Sequence, residues 1–186
     1  MALELVWPSA EHLPSYAAAL ARGWSPDTVR PAAAGEELEQ IALDPALFVG
    51  LQVDREAEGP PVILPDGSTV PRLPGFRRWM WDGEFCGSIS FRWQPGTEAL
   101  PPHCLGHIGY SVVPWKRRMG YATEALRLFL IDVRQEDLAY VELAADSENA
   151  PSHRVILANG GELVERFAKP HGYPGSQGFR FRIALR

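Results

Sequence analysis

An abrupt change of hydrophobic period after Pro114 constrains the fold more than any other feature of the sequence. Residues 105–113 read as a strand, with Ile108, Tyr110 and Val112 on one of its faces. Proline cannot donate to a strand ladder, so the strand is expected to end there. Beyond it, apolar residues follow the helical spacing, at Ala122, Ala125, Leu126, Phe129, Leu130 and Val133. The pattern therefore predicts a strand, a short turn and a long amphipathic helix.

Further strands and helices are predicted around this unit. The first half is expected to contain a strand at 2–7, a helix after Ser9, a helix at 31–42, a strand within 44–53 and strands at 77–81 and 84–93. The last two flank Asp82-Gly83, which favours a two-residue type I′ turn. The second half is expected to contain strands at 140–145, 162–168 and 178–185 and a helix at 151–158. This order indicates an α/β (α+β) fold: a mixed, mostly antiparallel sheet of six to seven strands with helices on both faces.

Residues 56–76 differ in composition from the rest of the chain. Five of the 17 prolines lie there, and Pro65-Asp66-Gly67 is a turn signal. We expect a long loop with a small hairpin, as an excursion from one domain that spans residues 1–186.

Charge and cysteine content exclude several classes of function. The net charge of −5 argues against a bulk polyanionic partner such as nucleic acid, and against a membrane surface. No stretch has the pattern of a membrane span or a signal peptide. Two cysteines, Cys86 and Cys104, are too few for a disulfide framework or a structural zinc site. We therefore expect a cytoplasmic protein without a metal.

The turn between the strand and the long helix is predicted to bind an anion. A helix N-terminus offers unpaired N–H groups and a partial positive charge, and Lys116, Arg117 and Arg118 add formal charge beside it. Gly120 lets a ligand approach the backbone. Neither a Walker loop nor a dinucleotide fingerprint is present. The turn suits phosphate groups, although a basic turn that merely caps a helix has the same spacing.

The run Arg117-Arg118-Met119-Gly120-Tyr121-Ala122 resembles the Gln/Arg-x-x-Gly-x-Gly/Ala motif of the GCN5-related N-acetyltransferases, the GNAT family. Asn149, which opens a helix after a strand, sits where that family has an asparagine. The specific similarity covers residues 105–161, where 106–111 and 159–161 look like a bacterial subgroup of acetyltransferases. The order of elements is compatible with the acyl-CoA N-acyltransferase fold of that family over nearly the whole chain.

The resemblance implies acetyl-CoA as the acetyl donor and an amine as the acceptor. It implies that the pyrophosphate rests on backbone N–H groups of residues 117–122, and that the pantetheine arm lies along residues 111–113. A backbone N–H near Val112 would polarise the thioester carbonyl. The implied cofactor-binding residues are Ser111, Val112, Val113, Arg117, Arg118, Met119, Gly120, Tyr121, Ala122, Thr123, Asn149 and Ser152.

The catalytic groups are left open between several residues. An amine has to lose a proton, and His107 is the first candidate for the base, with Glu142 on the neighbouring strand as the second. Many relatives have a tyrosine seven residues after the asparagine to protonate the leaving thiolate, but Ile156 occupies that position here. Tyr173, His171 or Ser152 could supply the acid, and loss of CoA without a positioned acid is the other alternative.

We therefore predict an enzyme that transfers an acetyl group from acetyl-CoA to a primary amine, by direct attack on the thioester. The acceptor would be a small molecule or a peptide, surrounded by the N-terminal helices and the loops at 56–76, 94–104 and 168–177. A homodimer is compatible with the sequence. The alternative is a CoA-binding sensing or interaction module of the same fold, which the missing tyrosine favours. A plain nucleotide-binding protein, or acyl transfer through one of the cysteines, are further readings.

Overall fold

Ten strands and five helices make up the computed structural model, which describes residues 2–173 and 175–186. The strands are β1 (Glu4–Val6), β2 (Val53–Asp54), β3 (Val62–Ile63), β4 (Thr69–Val70), β5 (Gly75–Trp81), β6 (Phe85–Arg92), β7 (Ile108–Val112), β8 (Tyr140–Asp146), β9 (Glu162–Ala168) and β10 (Gln177–Ala184). The helices are α1 (Leu13–Ala21), α2 (Ala33–Leu43), α3 (Pro45–Gly50), α4 (Tyr121–Val133) and α5 (Ala150–Ala158), and a 3-10 turn covers Pro114–Lys116. None of the described helices is long and apolar enough to cross a membrane.

The first sheet has the order β1-β5-β6-β7. β1 pairs with the C-terminal half of β5, and β2 pairs with its N-terminal end. All of its pairings are antiparallel. Because side chains alternate along a strand, neighbouring residues of β5 face opposite layers. Trp79 packs with the residues of α1, and Met80 packs with those of α4. The prediction of helices on both faces is thereby confirmed.

The second sheet has the order β8-β10-β9 and is also antiparallel. It meets the first sheet at His107, whose N–H donates to the carbonyl of Glu142 at 2.7 Å. The N–H of Glu142 donates in return to Nδ1 of His107 at 3.0 Å. Over the described residues, no ladder joins β7 to β8. The α/β fold is as predicted, but its strands form two separate antiparallel sheets and a small hairpin, not one mixed sheet.

One hydrophobic cluster beneath α4 connects the two sheets. The helix buries the positions that the helical spacing predicted, Ala125, Leu126, Phe129, Leu130 and Val133. These side chains pack with Ile89 and Phe91 of the first sheet and with Leu143 and Phe181 of the second. Burying a large apolar side chain contributes about 1.5–3 kcal/mol. The shared cluster therefore holds the two sheets together although no ladder joins them.

The segment 44–53 is helical, where its apolar run predicted a strand. Asp44 caps α3, because its side chain accepts a hydrogen bond from the N–H of Leu47 at 2.9 Å, and Pro45 occupies the first turn. The run buries Phe48 but leaves Leu47 59% exposed. A one-sided helix thus replaces the strand, and Val53 alone of the segment joins a sheet.

The hairpin of β5 and β6 differs from the prediction in its turn. Trp81 pairs with Phe85 across a bulge, so the loop has the three residues 82–84 and not two. Gly83 adopts a φ of +110°, which glycine accepts without steric cost. In the 56–76 excursion, β3 pairs with β4 around the turn predicted at residues 65–67.

Candidate functional site

A cleft of about 790 Å³ opens between β7 and β8. Gly109, Tyr110 and Ser111 line it on the β7 side, and Ala144 and Ala145 line it on the β8 side. Other walls come from α2, the β3–β4 hairpin and the loop around residue 173. The cleft therefore extends from the two strand edges to all four segments predicted to surround an acceptor, since two residues of the 94–104 loop also line it.

The edge of β7 presents unpaired backbone groups to the cleft. Val113 donates its N–H to the carbonyl of Cys86 at 2.9 Å, so the odd-numbered residues of this strand bond to β6. The alternation of an antiparallel ladder turns the N–H groups of Tyr110 and Val112 the other way, into the gap between the sheets. The backbone of Ser111 and Val113 is engaged by β6. Within the predicted range 111–113, Val112 is the residue that offers its N–H.

The predicted anion site lies at the start of α4, beyond the end of β7 and outside the lining of the cleft. Arg118 and Gly120 both adopt positive φ angles, +63° and +79°, and Gly120 is the N-cap of the helix. In the described part of the chain, no backbone acceptor binds the N–H groups from Arg118 to Thr123. A Cβ on Gly120 would meet no atom within 4 Å. The turn is therefore open, and its N–H groups are free for the oxygens of an anion.

The basic cluster of residues 116–118 is weaker than its sequence suggests. Lys116 pairs with Asp82 at 2.9 Å and with Glu84 at 2.8 Å, and Tyr121 donates its hydroxyl to Asp82 at 2.6 Å. Partial burial acts to raise the pKa of Asp82, but the hydrogen bonds from Tyr121 and Lys116 lower it to about 2. The carboxylates thus neutralise Lys116 and hold Tyr121 against the turn.

The other side chains of the motif point in different directions. Arg117 donates from Nε to the carbonyl of Val112 at 3.2 Å. Arg118 and Met119 extend into solvent, and Ala122 packs partly against the core. The backbone of this turn, more than its side chains, is what the structure offers to a ligand.

Asn149 is the N-cap of α5, and its side-chain oxygen accepts a hydrogen bond from the N–H of Ser152 at 3.2 Å. The hydroxyl of Ser152 lies 2.6 Å from the hydroxyl of Tyr110 on β7. All three residues line the cleft. Burial raises the pKa of Tyr110 to about 12, so its phenol stays protonated at neutral pH. Two neutral hydroxyls therefore meet at the cleft wall, and the sequence pattern had indicated Tyr110 only as a strand residue.

His107 is the buried junction between the two sheets and does not line the cleft. Its side chain is 0% exposed, and Nδ1 already accepts the N–H of Glu142. Nε2 is buried and has no hydrogen-bond partner among the residues that the structure describes. Burial lowers the pKa of His107 to about 4. The structure thus does not bring this predicted base to the cleft.

Glu142 and Tyr173, the other two predicted catalytic residues, lie apart from each other. The carboxylate of Glu142 pairs with Arg182 at 2.7 Å and with Arg180 at 3.6 Å, and it lines a separate cavity of about 280 Å³. Tyr173 lines the cleft and donates its hydroxyl to the carbonyl of His103 at 3.3 Å. Burial raises the pKa of Tyr173. Of the three candidates, Tyr173 is the one that reaches the cleft.

The α1 side of the cleft carries polar groups that local sequence patterns did not reveal. Trp24 donates Nε1–H to the hydroxyl of Ser111 at 3.1 Å, across 87 positions of sequence. Glu37 accepts a hydrogen bond from the hydroxyl of Tyr16 and pairs with Arg77 at 3.5 Å. Spacing along the chain cannot show contacts of this range. No group of three or more metal-ligating side chains occurs within residues 2–173 and 175–186.

A family model described as an acetyltransferase (GNAT) domain matches residues 66–162, more than half of the chain. The chain belongs to the GNAT acetyltransferase family. The matched segment includes β5 to β8, α4 and α5, and therefore both edges of the cleft and the open turn. The resemblance seen in the sequence is confirmed, and acetyl transfer is the chemistry of this class. A search of curated proteins found no match.

Solved structures of GNAT proteins share the fold. An acetyl transferase from Salmonella typhimurium that modifies the N-terminal serine of a 50S ribosomal subunit protein has a TM-score of 0.64 and 14% identity, over 98% of this chain and 94% of that one. The microcin C7 self-immunity acetyltransferase MccE, solved with acetyl-CoA and AMP, has a TM-score of 0.60 and 11% identity, over 98% and 92%. RimL in complex with coenzyme A has a TM-score of 0.61 and 15% identity, over 98% and 93%. At these identities the likeness is one of fold.

Proposed function

We propose that this protein transfers an acetyl group from acetyl-CoA to a primary amine of a small molecule or a peptide, by direct attack of the amine on the thioester. The observation that carries the proposal is the open edge of β7, which leads to the unpaired N–H groups at the start of α4. An extended arm with amide groups that ends in phosphates fits these two features together. We also propose the cytoplasm as the compartment, on the strength of two free cysteines, Cys86 and Cys104.

The residues present fit acetyl-CoA. The backbone N–H groups from Arg118 to Thr123 would hold the pyrophosphate. The backbone of Tyr110 and the side chain of Asn149 would hold the pantetheine arm through hydrogen bonds. When bound, acetyl-CoA supplies the acetyl thioester that the amine attacks.

We assign the N–H of Val112 to the developing negative charge on the carbonyl oxygen. This residue is 9% exposed, and its N–H is directed into the gap between the sheets. A preorganised donor in such a site is typically worth about 3 kcal/mol of transition-state stabilisation. The N–H of Tyr110, two residues earlier on the same edge, is the second donor that faces the gap.

We assign Tyr110 as the proton donor to the departing thiolate. A tyrosine phenol is protonated at neutral pH, and the hydroxyl of Ser152, 2.6 Å away, orients that of Tyr110. This pair would take the role that a tyrosine seven residues after Asn149 has in many relatives. Ile156 holds that position here and is 1% exposed within the core.

We propose that the amine enters the cleft as a free base. His107 is buried away from the cleft, Glu142 is held by two arginines outside it, and burial raises the pKa of Tyr173. None of these three residues is therefore assigned to deprotonate the amine. We expect kcat/KM to rise with pH until the amine itself is deprotonated, and Tyr173 to contact the acceptor without exchanging a proton with it.

Thiol release from acetyl-CoA over a panel of primary amines tests this function. Tyr110→Phe should lower kcat by about 100-fold, in the range that a general acid supplies, and leave the Kd of acetyl-CoA near that of the wild type. Tyr140→Phe is the matched control, because its ring lines the separate cavity of Glu142. An unchanged kcat in Tyr110→Phe would exclude this tyrosine as the acid.

A CoA-binding module without activity is the second candidate function. The observation that favours it is the buried Ile156 at the position of the usual acid. Calorimetry with acetyl-CoA separates the two functions when it is combined with the thiol-release assay. Tight binding without release of thiol in the presence of any amine would support the module and contradict the enzyme.

A further inference from the structure

The floor of the cleft is one face of β6 and β7. The register pairs Ser90 with Gly109 and Ser88 with Ser111, so these side chains lie on the same face of the sheet. Arg92 is the next residue on this face of β6, and it also lines the cleft. Its half-buried guanidinium reaches across to β7, because a Cβ built on Gly109 would lie 3.0 Å from Nη2. The absence of a side chain on Gly109 leaves room for the guanidinium over the strand.

Within residues 2–173 and 175–186, the charge of Arg92 is not matched by an acid. The cleft lining contains four other cations, and each has a carboxylate partner: Arg30 with Glu36, Arg72 with Asp54, Arg77 with Glu37 and Lys169 with Asp146. Among the described residues, no carboxylate lies within 4.0 Å of Arg92, whose guanidinium makes one side-chain hydrogen bond, to the hydroxyl of Ser90 at 3.4 Å. A half-buried guanidinium without a counter-ion favours an anionic ligand.

We propose that Arg92 binds a carboxylate of the acceptor, so that the substrate class is an amine that also carries an acidic group. The inference rests on the proposed acetyl transfer and extends it to the identity of the acceptor. One guanidinium and one serine hydroxyl match a single negative charge, whereas a phosphate dianion would need more donors. The carboxylate belongs either to a free amino acid or to the side chain of a peptide's first residue.

The position of Arg92 also sets the distance between the two groups of the acceptor. Its Nη2 lies over Gly109, three residues from Val112, the proposed oxyanion donor. Three residues of a strand span about 10 Å. An α-carboxylate, two bonds from the reacting nitrogen, is too close to reach this guanidinium. A carboxylate four or more bonds away is within reach, as in γ-aminobutyrate or in the side chain of an N-terminal glutamate.

The test compares acceptors that differ only in charge. The free series is glycine, β-alanine, γ-aminobutyrate and δ-aminovalerate, each assayed against its amide, and the peptide series is short peptides that begin with Glu or with Gln. For acids with four or more bonds between the nitrogen and the carboxylate carbon, the wild type should show a kcat/KM about 10- to 100-fold above that for the matching amide. This is the range that a charged hydrogen bond supplies. Arg92→Gln should remove this preference and Arg92→Lys should keep part of it. Arg134→Gln, which deletes a charge from the exposed end of α4, should retain it fully.

A binding measurement separates failure of this inference from failure of the proposed function. The N-acetylated acids and amides are titrated by calorimetry into the protein with CoA present. If no amine is acetylated but the acids still bind better than the amides, and Arg92→Gln removes the difference, the carboxylate site stands and the enzyme does not. If amines are acetylated with equal kcat/KM for acid and amide, or if Arg92→Gln keeps the preference, the carboxylate site is refuted. The series that shows the preference, free or peptide, identifies the source of the carboxylate.

Discussion

His107→Asn should make the stability of the protein less sensitive to acid. The histidine is neutral in the folded state, because burial lowers its pKa from 6.5 to about 4. Arg92 also disfavours its charged form, while Glu142 and Glu98 partly oppose the shift. Asparagine places an oxygen close to the position of Nδ1, so it can still accept the N–H of Glu142, but it does not titrate.

The sign and size of the effect follow from linkage between protonation and folding. Below pH 6.5 the unfolded chain binds a proton at this histidine and the folded chain does not. The free energy of unfolding therefore decreases as the pH is lowered. With these two pKa values, the wild type should lose about 2 kcal/mol from this residue by pH 5 and about 3 kcal/mol by pH 4. The contribution is fully present above the unfolded pKa and is lost as the pH falls toward 4.

Urea denaturation of both proteins between pH 7.5 and 4.5 measures this directly. The asparagine variant loses packing at every pH, so the informative quantity is the change in the wild-type-minus-variant difference. Carboxylates that titrate in both proteins cancel in that difference. Parallel curves would refute the argument that burial holds His107 neutral. A kcat that collapses in the folded variant would instead restore His107 as the catalytic base.

Variants at three further positions test other parts of the site. Gly120→Glu should raise the Kd of CoA by at least tenfold, whereas Gly120→Lys, which has the same backbone strain at φ +79°, should bind CoA more tightly than the Glu variant. Equal Kd values for the two variants would show that the phosphates do not bind at this turn. Asp82→Asn should lower the free energy of unfolding by about 1–3 kcal/mol at pH 7, because the hydrogen bonds from Lys116 and Tyr121 are weakened. In urea denaturation, the difference in stability between wild type and variant should shrink as the pH falls from 4 toward 2. Asn149→Ala should cost about 1 kcal/mol as a lost helix cap, whereas Asn149→Asp should keep the cap and weaken CoA binding; a Kd unchanged in the Asp variant would confine Asn149 to capping.

The parts of the fold that the sequence revealed are those set by neighbouring residues. The strand, turn and helix around Pro114 follow from a change of period, and α4 buries the side chains that this period selects. The prediction of a strand within 44–53 was wrong because a short apolar run has no period of its own. There the Asp44-Pro45 start signal was more informative than hydrophobicity.

The candidate site could be predicted from the sequence only where it consists of backbone groups of one continuous segment. The open turn at Gly120 is such a segment, and its sequence motif indicates it. The contact of Tyr110 with Ser152 joins residues 42 positions apart. The lack of a carboxylate beside Arg92 depends on where the fold places every nearby acidic residue. His107 shows the converse, since a histidine on the strand that leads to a site can serve to join two sheets.

The division of the strands also has a consequence for folding. The first sheet uses residues 4–112 and the second uses residues 140–184, so each is built from an uninterrupted stretch of chain. We infer one domain with two local units, because the cluster under α4 includes residues from both. Native-state hydrogen exchange should then report two opening free energies in the free protein. A ligand that bonds to both edges is released when either unit opens, so acetyl-CoA should raise both opening free energies by the same amount.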